Sequence, residues 1–518
     1  MLSSPHTSVN DLTQCQLHKQ CQVDIGHCCA YKLDSMLRGM LRAANGDQLD
    51  QIHRGILEVL ERVGLRIKSR ILLEALAGAG CKVDWPTWRV WFRPELVEQQ
   101  VSAQKQRCRS VRSSLWYPFC SQMQGDDVSW PDTFICDYGY GTPWIYDYQA
   151  GGVRQPTVKD QIDMILLGNA LECVRAVNAP LICSEFDPRT ETIESARVLL
   201  RHTRKPGWVG TNSRREVKYL AELAALADRD FETTRTTQPA IAVTAYCTTT
   251  PLKLEERSAG VLEEAFAYGF PINFASMPIL GATSPITPAG SAVLAGAELL
   301  GCMTAATLVD ANAFYYTTSI SAEMDMKTTA ICFGRPAAML TDILLHQLFR
   351  FRYGLVHNVD PGYVEAKTPG MHACWAKTYR QMAFGSTVSS PLPLGALDNA
   401  SVFSPTQTML DLEVNDAHYR FGKGVEVDAE SICLDLIQQL EFCERSTYLE
   451  SDHTLHHLRG VGWYPQSLYA TTGESELLTA ADHKWRELVA SQSPPPLDAA
   501  YSEEIDRIVE AAKRELLA

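Results

Sequence analysis

Residues 271–325 read PINFASMPILGATSPITPAGSAVLAGAELLGCMTAATLVDANAFYYTTSISAEMD. The stretch opens on a short apolar run, Pro271–Ala275, and passes through a loop to Pro288. It continues as a long run of small and apolar residues to Val309, then gives an aromatic and β-branched run, Ala313–Ser319. Proline at a helix start loses no hydrogen bond, because the first amides of a helix have no partner inside it. Branched and aromatic side chains favour a pleated, buried strand. The stretch therefore predicts strand, helix, strand. Its helix is apolar enough to suggest a membrane span, but it carries Glu298 and lies between strands, so it is read as the buried helix of a globular domain.

Outward from this unit the same alternation recurs. The predicted strands are Phe134–Tyr138, Pro180–Ser184, Gly207–Gly210, Ala240–Cys247, Pro271–Ala275, Ala313–Ser319, Gly354–Asn358 and Thr387–Leu394. The predicted helices are Asp160–Leu171, Glu191–His202, Arg214–Ala227, Leu254–Tyr268, Ala289–Val309, Pro336–Tyr353, Gly370–Phe384 and Thr406–Phe421. Ser213 to Glu216 has the spacing of a capping box, and Gly269, Gly354 and Gly385 stand where helices give way to strands. Eight such units predict an α/β fold of the (β/α)8 TIM-barrel class. An open doubly wound sheet is the alternative. It would favour a glycine-rich phosphate turn leading into a helix after the first strand, whereas Tyr138-Gly139-Tyr140-Gly141 runs into Thr142-Pro143-Trp144.

The flanks read differently. Residues 1–45 are expected to form a disordered leader, rich in His6, Cys15, His18, Cys21, His27, Cys28 and Cys29 without any zinc-finger spacing. Residues 46–130 predict a small α+β cap: a helix through Leu49, Ile52, Ile56, Leu60 and Val63, a second over Ser69–Ala77, two short runs at 82–85 and 88–92, and a helix opened by Pro94. The barrel spans 131–425, and 426–518 is a helical extension whose last helix starts at Ser502, with Ile505, Ile508, Val509, Ala512 and Leu516 inward.

The chain has 518 residues, and 47 Lys+Arg against 61 Asp+Glu give a net charge of −14. That balance argues against nucleic acid and anionic membrane as partners. Sixteen cysteines without a CxxC pair, in a long chain with no secretory start, predict reduced thiols and a cytoplasmic enzyme. No P-loop, HExxH or GxSxG pattern occurs, and no tightly bound metal is expected. His453, His456 and His457 cluster outside the barrel and are read as tail packing or polar contacts.

A barrel collects its active site at the carboxyl ends of its strands. That rule selects Glu323 and Asp325 after the sixth strand, His357, Tyr363, Glu365 and Lys367 on and after the seventh, and Asp398 after the eighth. Tyr140, Trp144 and Tyr316 add aromatic faces. Carboxylates and aromatic rings together suit a small organic cation, since ring faces attract quaternary ammonium by about 1–2 kcal/mol each when desolvated.

Several stretches then resemble one family, the corrinoid-dependent trimethylamine methyltransferases. They are Met277 to Thr287, Met324 to Thr328 with Gly334-Arg335-Pro336, Val364 to Pro369, Gly424 to Asp428, His453 to Arg459, Ile52 to Leu60 and Phe92 to Val97. The resemblance implies a barrel whose mouth docks a cognate corrinoid protein and passes it a methyl group from a small methylated amine. On that reading the rim residues take roles: Glu323 and Asp325 are expected to be catalytic, with Tyr140, Trp144, Tyr316, His357, Tyr363, Glu365, Lys367 and Asp398 around the substrate. Archaeal relatives carry pyrrolysine near the position of Tyr363, so the analogy is to members without it, which act on glycine betaine and similar quaternary amines. His357 or Lys367 would then meet the betaine carboxylate. A cobalamin-type cofactor on the partner and a homo-oligomeric chain are also implied. The sequence departs from the family at His357-Asn358-Val359-Asp360-Pro361, where a glycine-rich run is expected. A methylamine-binding paralogue without turnover, and a barrel hydrolase or lyase on another small cation, are the competing readings.

Overall fold

A computed structural model describes residues 42–111, 137–139, 141–174, 176–234, 242–249, 251–360, 362–385, 393–422, 425, 427–440, 447–458 and 473–518. Tyr140, most of the first and eighth predicted strands and the cysteine- and histidine-rich leader lie outside these residues.

The chain folds as a helix-rich α/β structure. Its central feature is a parallel sheet in the order 208–210, 242–249, 272–276, 315–319, 357–359. Parallel neighbours continue the succession at both ends. Val177 bridges to Pro206, Thr142 bridges to Leu181, and Asp137–Tyr138 pairs with Pro393–Leu394. Among the described residues no ladder joins His357–Val359 to Pro393–Leu394, so the sheets are small and none is closed, in contrast to the closed barrel expected. The predicted strand Pro180–Ser184 is present only as bridges. Pro180 and Pro206 have no amide to donate there, which limits the ladder.

Helices cover the sheet much as their caps dictate. Thr157 accepts from the Asp160 amide at 3.2 Å while Asp160 accepts from the Thr157 amide at 2.8 Å, starting Val158–Ala170. Glu191–His202 runs as the sequence predicts. The capping box at Ser213 starts its helix later, at Val217, because the Glu216 carboxylate turns back to the amides of Asn212 and Ser213. Pro336–Gln347 passes into a π turn, Leu348–Arg352, where a longer helix was expected. The last helix runs Ala499–Leu516, three residues earlier than its predicted start, because Asp498 caps the amides of Ala500 and Tyr501.

Pro288–Val309 is the core helix, and 78% of its most apolar window is buried. Glu298 in its middle is fully buried and accepts from the Leu252 amide at 2.7 Å and the Ser276 hydroxyl at 2.6 Å. A buried carboxylate is tolerated only with such donors. The helix Gly46–Arg62 packs on it through Ile56 and Leu60, which meet Gly296 and Gly301. An unexpected strand, Leu65–Ile67, pairs with both Arg89–Trp91 and Lys253–Leu254 and ties the N-terminal elements into the central sheet. One apolar core runs through both regions.

Candidate functional site

After Tyr315–Ser319 the chain forms a second, three-stranded sheet from Ile279–Leu280, Ala322–Met324 and Ile331–Cys332. Asp325 holds the turn between the last two. Its Oδ1 accepts from the amides of Lys327 and Thr328 at 3.0 and 2.7 Å and from the Thr328 hydroxyl at 2.8 Å. Arg335, at the mouth of the helix Pro336–Gln347, donates Nη1 to Glu323 Oε1 at 3.0 Å and Nη2 to Asp325 Oδ2. Its guanidinium holds the Asp325 carboxyl well below the usual carboxylate range. The two acids expected to be catalytic are thus brought together, and they share one cation.

The loop after His357–Val359 closes on the same place. Glu365 Oε1 accepts from the Gly334 amide at 2.8 Å, and a Cβ at Gly334 would lie 3.0 Å from Glu365 Oε2, a tight approach to which the carboxylate would have to yield. The Tyr363 ring packs 4.9 Å from that of Phe333, held by Ile320, Ala322 and Ile331. Asp398 and Asn399 lie on the far side of this loop, their amides donating to Ala366 and Val364 at 2.8 and 2.7 Å. Asp398, Asn399 and Ala400 all adopt left-handed backbone, with φ of 44°, 57° and 60°. Trp144 begins a strand of the sheet next to Asp398 and is 41% exposed, and Lys367 is exposed.

His357 and Tyr316 are placed elsewhere. His357 is paired in register with Thr317, and its ring nitrogens meet the hydroxyls of Thr317 at 2.8 Å and Ser319 at 3.1 Å. It stacks on Phe349, 5.0 Å away, on the face that the helix Pro336–Gln347 covers. Burial pushes its pKa down to about 3, which leaves it neutral near pH 7. Tyr316 is buried on the opposite face, stacked on Phe314.

Beneath the cluster lies a layer of buried charge in which sequence reasoning missed Arg380 and Asp342. Arg380 is wholly buried and donates to the carbonyls of Phe333 and, at 2.8 Å, Asp360. Asp342 accepts from the Ser319 and Ser321 hydroxyls at 2.8 and 2.6 Å and from the Ser321 amide. Asp360 accepts from the Gly362 amide at 2.8 Å, and burial pushes its carboxyl up to about 6. Arg335 carried one signal, its place beside Pro336 in a motif already singled out. Arg380 sits mid-helix in Met371–Gly385, where nothing local marks it.

Chemically, the region is an acidic cluster beside the packed Phe333 and Tyr363 rings. Four partly buried carboxylates, Glu323, Asp325, Asp360 and Glu365, face two guanidiniums, Arg335 and Arg380. The excess is negative, and the nearby Lys327 and Lys367 point into water, where screening weakens them. Such a place attracts a small cation.

Comparison with known proteins agrees in kind. A trimethylamine methyltransferase (MTTB) family profile matches residues 35–516. The chain is 24% identical over 482 residues to trimethylamine methyltransferase MttB of Desulfitobacterium hafniense (strain DSM 10664 / DCB-2), covering 92% of this chain and 95% of that one. It is 23% identical over 482 residues to glycine betaine methyltransferase of Desulfitobacterium hafniense (strain Y51), covering 91% and 97%. Among solved structures, the hydroxylamine complex of MtmB shares 10% identity over 94% of this chain and 97% of that one, at a TM-score of 0.44, too low to bear on the fold. By the family profile, which takes in nearly its whole length, this chain belongs to the trimethylamine methyltransferase family.

Proposed function

We propose that this chain transfers a methyl group from a small quaternary or tertiary amine of the betaine type to the corrinoid of a partner protein. The observation that carries the reading is the convergence of Glu323, Glu365 and the Phe333–Tyr363 pair where two consecutive loops of the parallel sheet meet. On this reading the parallel succession closes into a (β/α)8 barrel through the 357–359 and 393–394 strands, and the cluster stands at its mouth.

A partner's corrinoid, docked at this cluster, would supply the electron pair for the new bond to carbon. The N–CH3 bond breaks with its own pair going to nitrogen, so a quaternary ammonium departs as a neutral amine and needs no proton, while a tertiary amine leaves as a neutral amine only if it is bound in its protonated form. The protein's part is then orientation and exclusion of water. Glu323 and Glu365 hold the cation by charge, Tyr363 presents an aromatic face, and Asp325 with Arg335 fixes the hairpin that carries Glu323. Because Arg335 already neutralises much of Glu323, Glu365 is the stronger electrostatic partner of the substrate. Lys367, at the edge, is suited to a substrate carboxylate.

The test uses the full chain with cob(I)alamin and a panel of trimethylamine, glycine betaine, proline betaine, carnitine and choline, followed by the change in cobalt absorption on methylation. Methylation from at least one compound is expected, and Glu365→Gln should raise KM for that compound about tenfold, the loss of one partly desolvated charge contact. No methylation together with no calorimetric binding of any compound would overturn the reading. Binding without turnover would favour the non-catalytic paralogue, which the sharing of Arg335 by both acids also fits.

A further inference from the structure

Between the barrel-forming region and the final helices lie three short helices, Ala429–Ile432, Leu434–Leu440 and Asp452–His457. Among the described residues, none of the three buries a side chain in a core. Val425, Val427, Leu449 and Leu455 are more than two-thirds exposed. The described residues of this segment offer no hydrophobic core to fix its shape, and small units without a core commonly rely on a metal cross-link.

The side chains that face each other across it are of metal-ligating types. His453, His456 and His457 fall three and four residues apart on one helix, a spacing that sets imidazoles on one face. Glu430 comes from the first helix to meet them. One ligand atom each of Glu430, His456 and His457 lies within 4.8 Å of the other two. The Glu430 Oε1 to His457 Nε2 distance is 3.7 Å, too long for a hydrogen bond but close to the spacing of two ligands on one zinc ion. The His453 ring centroid is 4.5 Å from that of His457, and its Nε2 is buried with no hydrogen-bond partner. A buried ring nitrogen without a partner is costly, and a metal ion would satisfy it. Imidazole nitrogens with one carboxylate favour zinc over magnesium or calcium, which prefer oxygen throughout.

We propose that Glu430, His456 and His457, completed by His453, form a zinc site that ties the helix Asp452–His457 to Ala429–Ile432. The site is independent of the methyl-transfer cluster. It runs against the sequence-based expectation that the chain binds no metal tightly and that these histidines only pack the tail.

The experiment takes the full chain, strips it with chelator, and titrates it with zinc by calorimetry and with Co2+ by absorption, using magnesium as control. About one zinc per chain is expected, with the strong visible bands of four-coordinate Co2+, slower proteolytic cleavage within 429–457 and no response to magnesium. The double variant His453→Asn/His457→Asn should lose the Co2+ bands, and Glu430→Gln, at a position 72% exposed and unable to disturb the core, should weaken zinc binding about tenfold or more. Zinc binding that survives in both variants would overturn the proposal and place the ion on another group, such as the cysteines and histidines of residues 6–29. Absence of zinc binding by the native chain would overturn it outright.

Discussion

Asp360 shows how much a single residue can owe to its surroundings. In the sequence it is one acid among several after the seventh strand. In the fold, burial holds its carboxyl up to about 6, against about 3.9 for an ordinary aspartate. A raised carboxyl pKa means the folded chain keeps the proton longer than the unfolded one. Its favourable contribution is therefore complete below about pH 4 and is lost as the pH rises through about 6. Asp360→Asn retains an acceptor for the Gly362 amide and never ionises. The variant is expected to match the native chain near pH 4 and to exceed it by about 2 kcal/mol above pH 7, read from denaturant unfolding across that range. A stability difference that does not change with pH would remove Asp360 from this role. Arg335 makes the opposite point. Its neighbours Glu323 and Asp325 were legible as rim acids from their place after a strand, but their sharing of one guanidinium, ten and twelve positions along the chain, was not.

At the scale of elements, the glycines of Pro288–Val309 matter more than its apolar character. A Cβ at Gly301 would stand 2.4 Å from Leu65 Cδ1 and 2.9 Å from Leu60 Cδ2, and one at Gly296 would stand 2.4 Å from Ile56 Cδ1. The two glycines let the Gly46–Arg62 helix approach. Gly301→Leu should force the elements apart and cost about 2–3 kcal/mol, seen as a lower urea midpoint. An unchanged midpoint would mean the contact yields freely. Helix faces and starts were largely legible, because caps and period-3.6 patterns act within a few residues. Leu65–Ile67 was not. It has three residues, and its strand character comes from partners 25 and 187 positions away in the registers Leu65–Val90 and Arg66–Lys253, which no local pattern encodes.

At the scale of the whole molecule, the last described helix joins elements far apart in the chain. Ala499–Leu516 buries Ile505, Ile508, Val509, Ala512 and Leu516 in a core shared with Glu191–His202 and the strands near Val177 and Val209. Lys513 reaches Glu194 at 3.1 Å and Arg201 reaches Asp506 at 2.6 Å. Each large apolar side chain contributes about 1.5–3 kcal/mol on burial, and together they rival the net stability of a typical domain. A chain ending at residue 493 is therefore expected to be recovered aggregated, or with a melting temperature lowered by more than about 10 °C. A soluble truncated chain that melts like the full one would show that this helix is an accessory.

From the sequence by itself came the alternation of strand and helix, the capping box at Ser213 to Glu216, the inward face of the last helix and the family resemblance. These rest on interactions between residues close in the chain, or on motifs that survive as text. Only the tertiary structure decided which face His357 occupies, what Arg335 and Arg380 bind, how Glu298 is satisfied and that Glu430 meets His457. The physical reason is common to all of them. Electrostatic and hydrogen-bond partners are chosen by distance in space and by how much water remains between them, and neither quantity is written in the order of residues along a chain.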